Sequence, residues 1–233
     1  MTNGKNYREK ERLVDKQKLY KPEEAFKLLK QTTRAKFDET VDLAMKLGVD
    51  TKKNPSVRGT VALPAGSGKT KKVAVITRPD RLREAEAAGA EVVGGEDLIE
   101  KIKGGFLGFD ILIASPDMMA LVGKLGKILG TKGLMPNPKS GTVTPEVGKA
   151  VQEFKGGKVE FKMDKGGAMH MVLGKASFTS EALMQNFIAA VSAVNHARPS
   201  GLKGSFIRSV TVSSTMGPGI KVDPRVALEE VEK

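Results

Sequence analysis

The chain has 233 residues, 39% of them hydrophobic, which is enough for one large core or two modest ones. Lys and Arg number 39 against 27 Asp and Glu, and the resulting charge of +12 favours a polyanionic partner, either nucleic acid or an acidic membrane surface. The absence of cysteine excludes disulfides, thiolate metal sites and a cysteine nucleophile, and 5% aromatic residues with no Trp leave few stacking platforms for bases.

The opening segment to Lys21 reads as a basic, partly helical arm. It carries Lys5, Arg8, Glu9, Lys10, Glu11 and Arg12 and lacks the apolar stretch of a secretory signal. No run of about 18 apolar residues follows anywhere, so no membrane partner is expected and the cytoplasm is the expected location. Pro22 opens a helix with Glu23 and Glu24 in its first turn and an apolar face of Ala25, Phe26, Leu28 and Leu29. After Phe37 the period falls to two: Val41, Leu43, Met45 and Leu47 alternate with Asp42, Ala44, Lys46 and Gly48, the pattern of a half-buried strand. A second strand is expected from Val57 to Leu63.

Beyond Gly66-Ser67-Gly68 the pattern changes. Strands at Lys72–Thr77, Glu91–Val93 and Asp110–Ala114 alternate with helices at Asp80–Ala88, Glu96–Ile102 and Asp117–Leu129, which predicts a parallel α/β sheet. Past Gly156-Gly157 alternation returns. Val159–Met163 is expected to pair with Met169–Leu173 through a turn at Lys165-Gly166-Gly167. A long helix spans Ser177–Arg198, and Ser209–Ser213 is the last expected strand. The acidic tail Glu229–Lys233 reads as disordered.

The simplest organisation is α+β with an inserted α/β unit. Residues 1–67 and 159–233 form one discontinuous antiparallel domain, and 68–158 form a Rossmann-like parallel one. The Gly-rich crossings, with Gly66, Gly68, Gly156 and Gly157, read as a hinge. Residues 69–158 hold 15 basic and 11 acidic side chains, a net of +4, and the flanks hold 24 and 16, a net of +8. The flanking domain is therefore the better candidate for a polyanion.

Catalytic signals fail on inspection. Gly66-Ser67-Gly68-Lys69-Thr70 looks like the end of a phosphate-binding loop, but the required earlier glycine is Leu63 and a strand follows instead of a helix. The turn Arg78-Pro79-Asp80 has no glycine to admit a pyrophosphate. The two histidines, His170 and His196, are not spaced as metal ligands. No cofactor or enzymatic activity is expected. A nucleotide-dependent phosphotransferase is the competing reading, and a general RNA chaperone without a fixed site a third. Two loops stand out. Gly130–Lys139 holds two Gly, two Pro and two Lys, and suits either a phosphate contact or a structural loop. Ser213–Gly219 offers hydroxyls, backbone N–H groups and glycines suited to close approach to a ribose-phosphate backbone.

Several motifs carry a resemblance. They are Lys36-Phe37-Asp38-Glu39-Thr40, Val57-Arg58-Gly59-Thr60-Val61, Gly94-Gly95-Glu96-Asp97-Leu98-Ile99, Pro116-Asp117-Met118-Met119, Leu125–Gly130, Gly133–Lys139 and Ser213-Ser214-Thr215-Met216-Gly217-Pro218. In this order, over nearly the whole chain, they resemble the ribosomal protein L-one family of the bacterial large subunit. The resemblance implies a split-domain fold and a flanking domain that grips a three-way junction of large-subunit ribosomal RNA at the mobile side stalk. It also implies a role in moving and releasing transfer RNA at the exit site, and repression of translation through the protein's own operon messenger RNA. Carried over by motif, the main RNA contacts are Lys36, Phe37, Thr40, Thr215, Met216 and Gly217. His170, Gly174 and Lys175 match a further segment, and Ser213 opens the final loop.

Overall fold

The computed structural model describes residues 4–50, 57–199, 202 and 204–232. In chain order the elements are α1 (Lys5–Glu11), α2 (Pro22–Thr32), β1 (Thr40–Leu47), β2 (Arg58–Ala62), β3 (Val73–Ile76), α3 (Leu82–Ala87), β4 (Val92–Gly94), α4 (Glu96–Lys103), β5 (Ile111–Ala114), α5 (Met119–Val122) and α6 (Gly126–Thr131). Then follow α7 (Val147–Lys155), β6 (Lys158–Lys162), β7 (Ala168–Lys175), α8 (Ser180–His196), β8 (Ile207–Ser214), β9 (Ile220–Val222) and α9 (Pro224–Glu232). Among the described residues, no helix is long and apolar enough to cross a membrane.

The chain divides into two compact units, 1–68 with 159–233, and 69–158. The discontinuous unit is built on a four-stranded antiparallel sheet ordered β7-β1-β8-β9. The central β1 comes from the N-terminal part of the chain and its neighbours β7 and β8 from the C-terminal part. Alternation dictates the two faces of the sheet. Val41, Leu43, Met45 and Leu47 are buried with Met169, Met171, Val210 and Val212 against α2 and α8, where Phe26 and Phe187 meet edge to face with centroids 5.6 Å apart. The intervening residues form a face that no described helix covers. Thr179 caps α8 by accepting the Ala182 N–H at 3.1 Å.

The 69–158 unit has a three-stranded parallel sheet, β4-β3-β5. Ala74 and Ile76 of β3 face a cluster with Leu98, Ile102, Val122 and Leu129. Val73 and Val75 face a second cluster with Ala85, Val151 and Phe154. A short apolar strand buried on both sides explains why this stretch shows no alternation.

Several expectations need correcting. The helix expected over Asp117–Leu129 is broken into α5 and α6 by 3-10 turns at Pro116–Met118 and Gly123–Leu125. Gly123 and Gly126 sit at the breaks, and glycine is a poor helix former. The strand Met169–Leu173 does not pair along Val159–Met163. It is part of β7, on β1, whereas β6 pairs with β2, and only a Met163–Met169 bridge joins the two. Asp164 accepts the Ala168 N–H at 2.7 Å and turns the chain from one sheet to the other. Two helices and a strand went unanticipated: α7, β9 and α9. The tail is not disordered across Glu229–Glu232, which belongs to α9, anchored by the buried Ala227. Lys233 lies outside the described residues.

The first crossing is tied down by a side chain that sequence patterning gave no reason to single out. Asn186, fully buried on α8, donates to the Gly66 carbonyl at 2.9 Å and the Leu173 carbonyl at 2.7 Å, and accepts the Ala65 N–H at 2.9 Å. Gly66, Gly68 and Gly157 adopt positive φ (74°, 72° and 107°). Gly156 does not; it ends α7 in a right-handed conformation. Replacing Asn186 by Leu strands a donor and two acceptors, and should destabilise the discontinuous unit by about 1–3 kcal/mol. The measurement is the urea midpoint at unchanged slope; an unshifted midpoint would mean that Asn186 does not hold the crossing.

Candidate nucleic-acid interface

Two loops far apart in sequence are joined at one end of the four-stranded sheet. The first is the irregular stretch from Thr33 into β1, and the second follows β8 from Thr215. Thr40 and Thr215 exchange three bonds. The Thr40 N–H donates to Thr215 Oγ1 at 3.0 Å, Thr215 Oγ1 donates to the Thr40 carbonyl at 3.2 Å, and the Thr215 N–H donates to that same carbonyl at 3.0 Å. Arg34 Nε donates to the Met216 carbonyl at 2.9 Å, and its guanidinium lies 5.7 Å from the centroid of the Tyr7 ring.

The centre of the junction is Glu39, whose side chain is fully buried. One carboxylate oxygen accepts the N–H groups of Arg34 (2.9 Å) and Ala35 (2.7 Å), and the other accepts that of Met216 (3.0 Å). Burial opposes its ionisation. The buried Ser214 hydroxyl and the Met216, Ala35 and Arg34 N–H groups more than offset that penalty, and hold the carboxyl at about 2, down from 4.5. Although Ser214 Oγ acts on this charge, no described residue stands in hydrogen-bond geometry to it.

This scaffold leaves Lys36, Phe37 and Met216 exposed. Phe37 is 57% exposed and Met216 44%, so neither is spent on the core. Gly217 closes the second loop by donating its N–H to the Ser214 carbonyl at 3.1 Å, and a Cβ there would lie 2.4 Å from Ser214 Oγ. Lys175 Nζ lies 3.1 Å from Thr40 Oγ1 and 3.4 Å from the Asp38 carbonyl. Asp38 in turn accepts from the Ser177 backbone at 3.0 Å and from its hydroxyl at 2.8 Å.

The uncovered sheet face continues from the loops. Register places Ala44 between His170 and Thr211, with Lys221 beyond Thr211, and places Asp42 between Val172 and Ser213. Burial pushes the Asp42 carboxyl above its ordinary range, more than the nearby His170 and Lys175 draw it down. Of the residues singled out from sequence, Lys36, Phe37, Thr40, Lys175, Thr215, Met216 and Gly217 gather at the loop junction. His170 and Ser213 lie on the adjoining face. Gly174 is buried: a Cβ there would meet the Phe178 ring at 2.9 Å, so its hydrogen side chain serves packing. Glu39, Arg34 and Ser214 were passed over as functional candidates. Glu39 lay inside a quoted motif, but nothing in a linear reading shows that its acceptors are met by N–H groups from both ends of the chain.

The other candidate loop, Gly130–Lys139, is internally satisfied. Leu134 and Met135 pack on the core of the parallel unit, and Asn137 caps the 3-10 turn at Pro138–Ser140 through the Lys139 N–H at 2.9 Å. After Gly68-Lys69-Thr70 the chain enters β3, a strand, where a phosphate-binding loop would enter a helix.

A fold with an inserted parallel unit and a polar sheet edge clamped by two loops defines a class. Residues 29–218 match the ribosomal protein L1p/L10e family, and the chain belongs to it. It is similar to the large ribosomal subunit protein uL1 of Thermobifida fusca (strain YX), with 50% identity over 230 residues and 98% of each chain covered. It is 55% identical over 225 residues to the protein of the same description from Mycolicibacterium smegmatis (strain ATCC 700084 / mc(2)155), with 96% of each chain covered. The corresponding protein of Mycolicibacterium vanbaalenii is 53% identical over 232 residues, with 99% of each covered.

Because the folded carboxyl of Glu39 is depressed below its ordinary 4.5, its stabilisation is fully present above that pH and is lost as the pH falls towards about 2. The contribution at neutral pH is on the order of 3 kcal/mol. Glu39→Gln should lower stability by that order at pH 7 and flatten the dependence between pH 4.5 and 2. Denaturant titrations across this range check it; a parallel offset at every pH would assign the acid limb to other groups.

Proposed function

We propose that this protein is a structural component of the large ribosomal subunit that binds folded ribosomal RNA through the clamped loops and the open sheet face, without chemistry. The observation that supports the reading best is the junction itself. Glu39 and Thr215 hold the two loops in one conformation, and that conformation presents Lys36, Phe37 and Met216 to solvent. Exposed side chains on a fixed loop frame, with a few cations beside them, suit phosphate and ribose groups, and shape selects among RNA folds. The curated relatives are named as large-subunit proteins, in keeping with this assignment.

The finer reading follows from the family. The RNA is the three-way junction of the side stalk, the protein assists transfer RNA movement and release at the exit site, and it represses translation by binding a similar fold in its own messenger RNA. The crossings at Gly66, Gly68, Gly156 and Gly157 serve as the hinge. Gly66 and Gly68 both adopt positive φ there, and the Gly66 carbonyl is held by Asn186.

Thr215→Val removes a hydroxyl that both accepts from and donates to the Thr40 backbone. The expected result is a loss of about 1–3 kcal/mol in affinity for a junction fragment of large-subunit ribosomal RNA, measured by filter binding. Unchanged affinity would remove the loop junction from the interface. Equal competition by an unrelated folded RNA would favour a chaperone without a fixed site.

A further inference from the structure

The end of the sheet opposite the clamped loops holds a second group of cations. There, β1 and β8 lose register: Lys46 lies opposite Ser209 but Leu47 opposite Ile207, so Arg208 is an extra residue on β8. Val210 and Val212 point into the core, and simple alternation would send Arg208 the same way. The bulge turns it out, and both Arg208 and Ser209 are exposed. Its side chain crosses Gly48, where a Cβ would lie 3.0 Å from Arg208 Nε and 2.3 Å from the Ser205 carbonyl. Only glycine leaves the guanidinium this position.

Arg208 lines a cleft of about 630 Å³ together with Arg225, Leu19, Ile207, Pro224 and Asp223. Arg225 is in the first turn of α9, a turn with no acidic residue. The anionic cap of that helix end is Asp223, just before the turn, so the Arg225 side chain adds a cation beside an end whose dipole is already met. Among the described residues, no carboxylate lies within ion-pair distance of either guanidinium. Asp223, the acid nearest in sequence, accepts the Arg225 N–H at 2.9 Å as the helix cap. Leu19, which is 52% exposed, and Pro224 form the apolar part of the wall, and Gly48, Gly204 and Ser205 complete it.

We infer that this cleft takes one unpaired nucleotide of the bound RNA, its phosphate on Arg208 and Arg225 and its base against Leu19 and Pro224. Two guanidiniums without a carboxylate partner among the described residues suit a phosphate, and the apolar surfaces of Leu19 and Pro224 suit the face of any base. A cleft of this volume matches a ligand of nucleotide size. Six residues of β8 separate Arg208 from Ser214, about 20 Å along an extended strand. An RNA held at the loops would thus reach the cleft along the open face through Ser209, Thr211 and Ser213. The inference rests on the RNA-binding reading above and adds a second anchor to it.

The test uses the full chain with Arg208→Gln, Arg225→Gln, the double variant and Arg208→Lys. Affinity for the ribosomal RNA junction fragment is measured from about 50 to 300 mM KCl. The double variant should bind about ten-fold more weakly at the low-salt end, and its slope of log K against log salt should fall by about 1 in magnitude, for the one phosphate that the two guanidiniums share. Arg208→Lys should keep the slope and lose part of the affinity. Wild-type binding with unchanged affinity and slope in the double variant would overturn the cleft and leave the loop junction standing. No binding by the wild type would overturn both. Titration with 5′-AMP, followed by the arginine Nε–Hε resonances, separates the sources of the nucleotide. Shifts at Arg208 and Arg225 without any change in RNA binding in the variants would make the ligand a free nucleotide and overturn the RNA assignment.

Discussion

The structure depends on a buried carboxylate. Glu39 accepts three backbone N–H groups, two from its own loop and one from Met216, 177 residues further on. An amide in its place has one carbonyl oxygen and would turn its NH₂ group towards at least one of these donors, so only the carboxylate satisfies all three without adding a donor of its own. The charge is also what makes the bonds strong, since hydrogen bonds to an ionised acceptor are roughly twice as strong as neutral ones. Arg34 then bonds back to the Met216 carbonyl, so both polar groups of the Met216 backbone that face the first loop are engaged. The cost of ordering two loops is met during folding and not during binding, which is how a small surface gains affinity.

The central strand explains why chain ends meet at all. β1 has partners on both edges, and both are supplied by residues beyond 168. Its buried face commits the register, because a slip by one residue would exchange Val41, Leu43, Met45 and Leu47 for Asp42, Ala44 and Lys46 in the core. Register in turn sets Thr40 beside Thr215 and Ala44 between His170 and Thr211. The insertion of 69–158 between the two halves leaves this arrangement intact, since its own apolar clusters are complete without residues from the flanks.

What sequence could reveal divides along the range of the interactions. Periods of two and of 3.6 are local, and they located β1, β3, β5, α2, α4 and α8 closely. The α7 helix was equally legible, with Val147, Ala150, Val151 and Phe154 at helical spacing, and was overlooked. Three-residue β9 is too short to show a period, and α9 opens on Pro224 at the acidic end of the chain, where the charge pattern reads as a solvated tail. Pairing is non-local, and a hairpin between β6 and β7 was the natural guess from a Gly-rich turn; only tertiary packing sends the two strands to different sheets. Among the proposed site residues, Lys36, Phe37 and Met216 rest on the resemblance, and the structure adds what a linear reading could not, their exposure. Glu39 and Asn186 stayed hidden for one reason. Each is a polar residue in an otherwise ordinary position, and its meaning lies in backbone groups brought to it from elsewhere in the chain.

An acid at the centre of a surface proposed to take a polyanion needs an explanation, and burial supplies it. Glu39 is screened from solvent, and its charge is directed into N–H groups that lie behind the exposed loop residues. The side chains that face outward there are Lys36 and Phe37, with Lys175 and Arg34 partly exposed beside them. The negative charge therefore shapes the site while the field outside it stays positive. On the proposed RNA-binding reading, this separation also divides the work of recognition. The net +8 of the discontinuous unit acts at long range and is weakened by salt, drawing in any nucleic acid. The loop geometry acts only at contact and depends on hydrogen bonds inside the protein, which salt barely touches. Raising the ionic strength should strip the first contribution and leave the second, so discrimination between RNA folds persists under conditions where overall affinity has fallen.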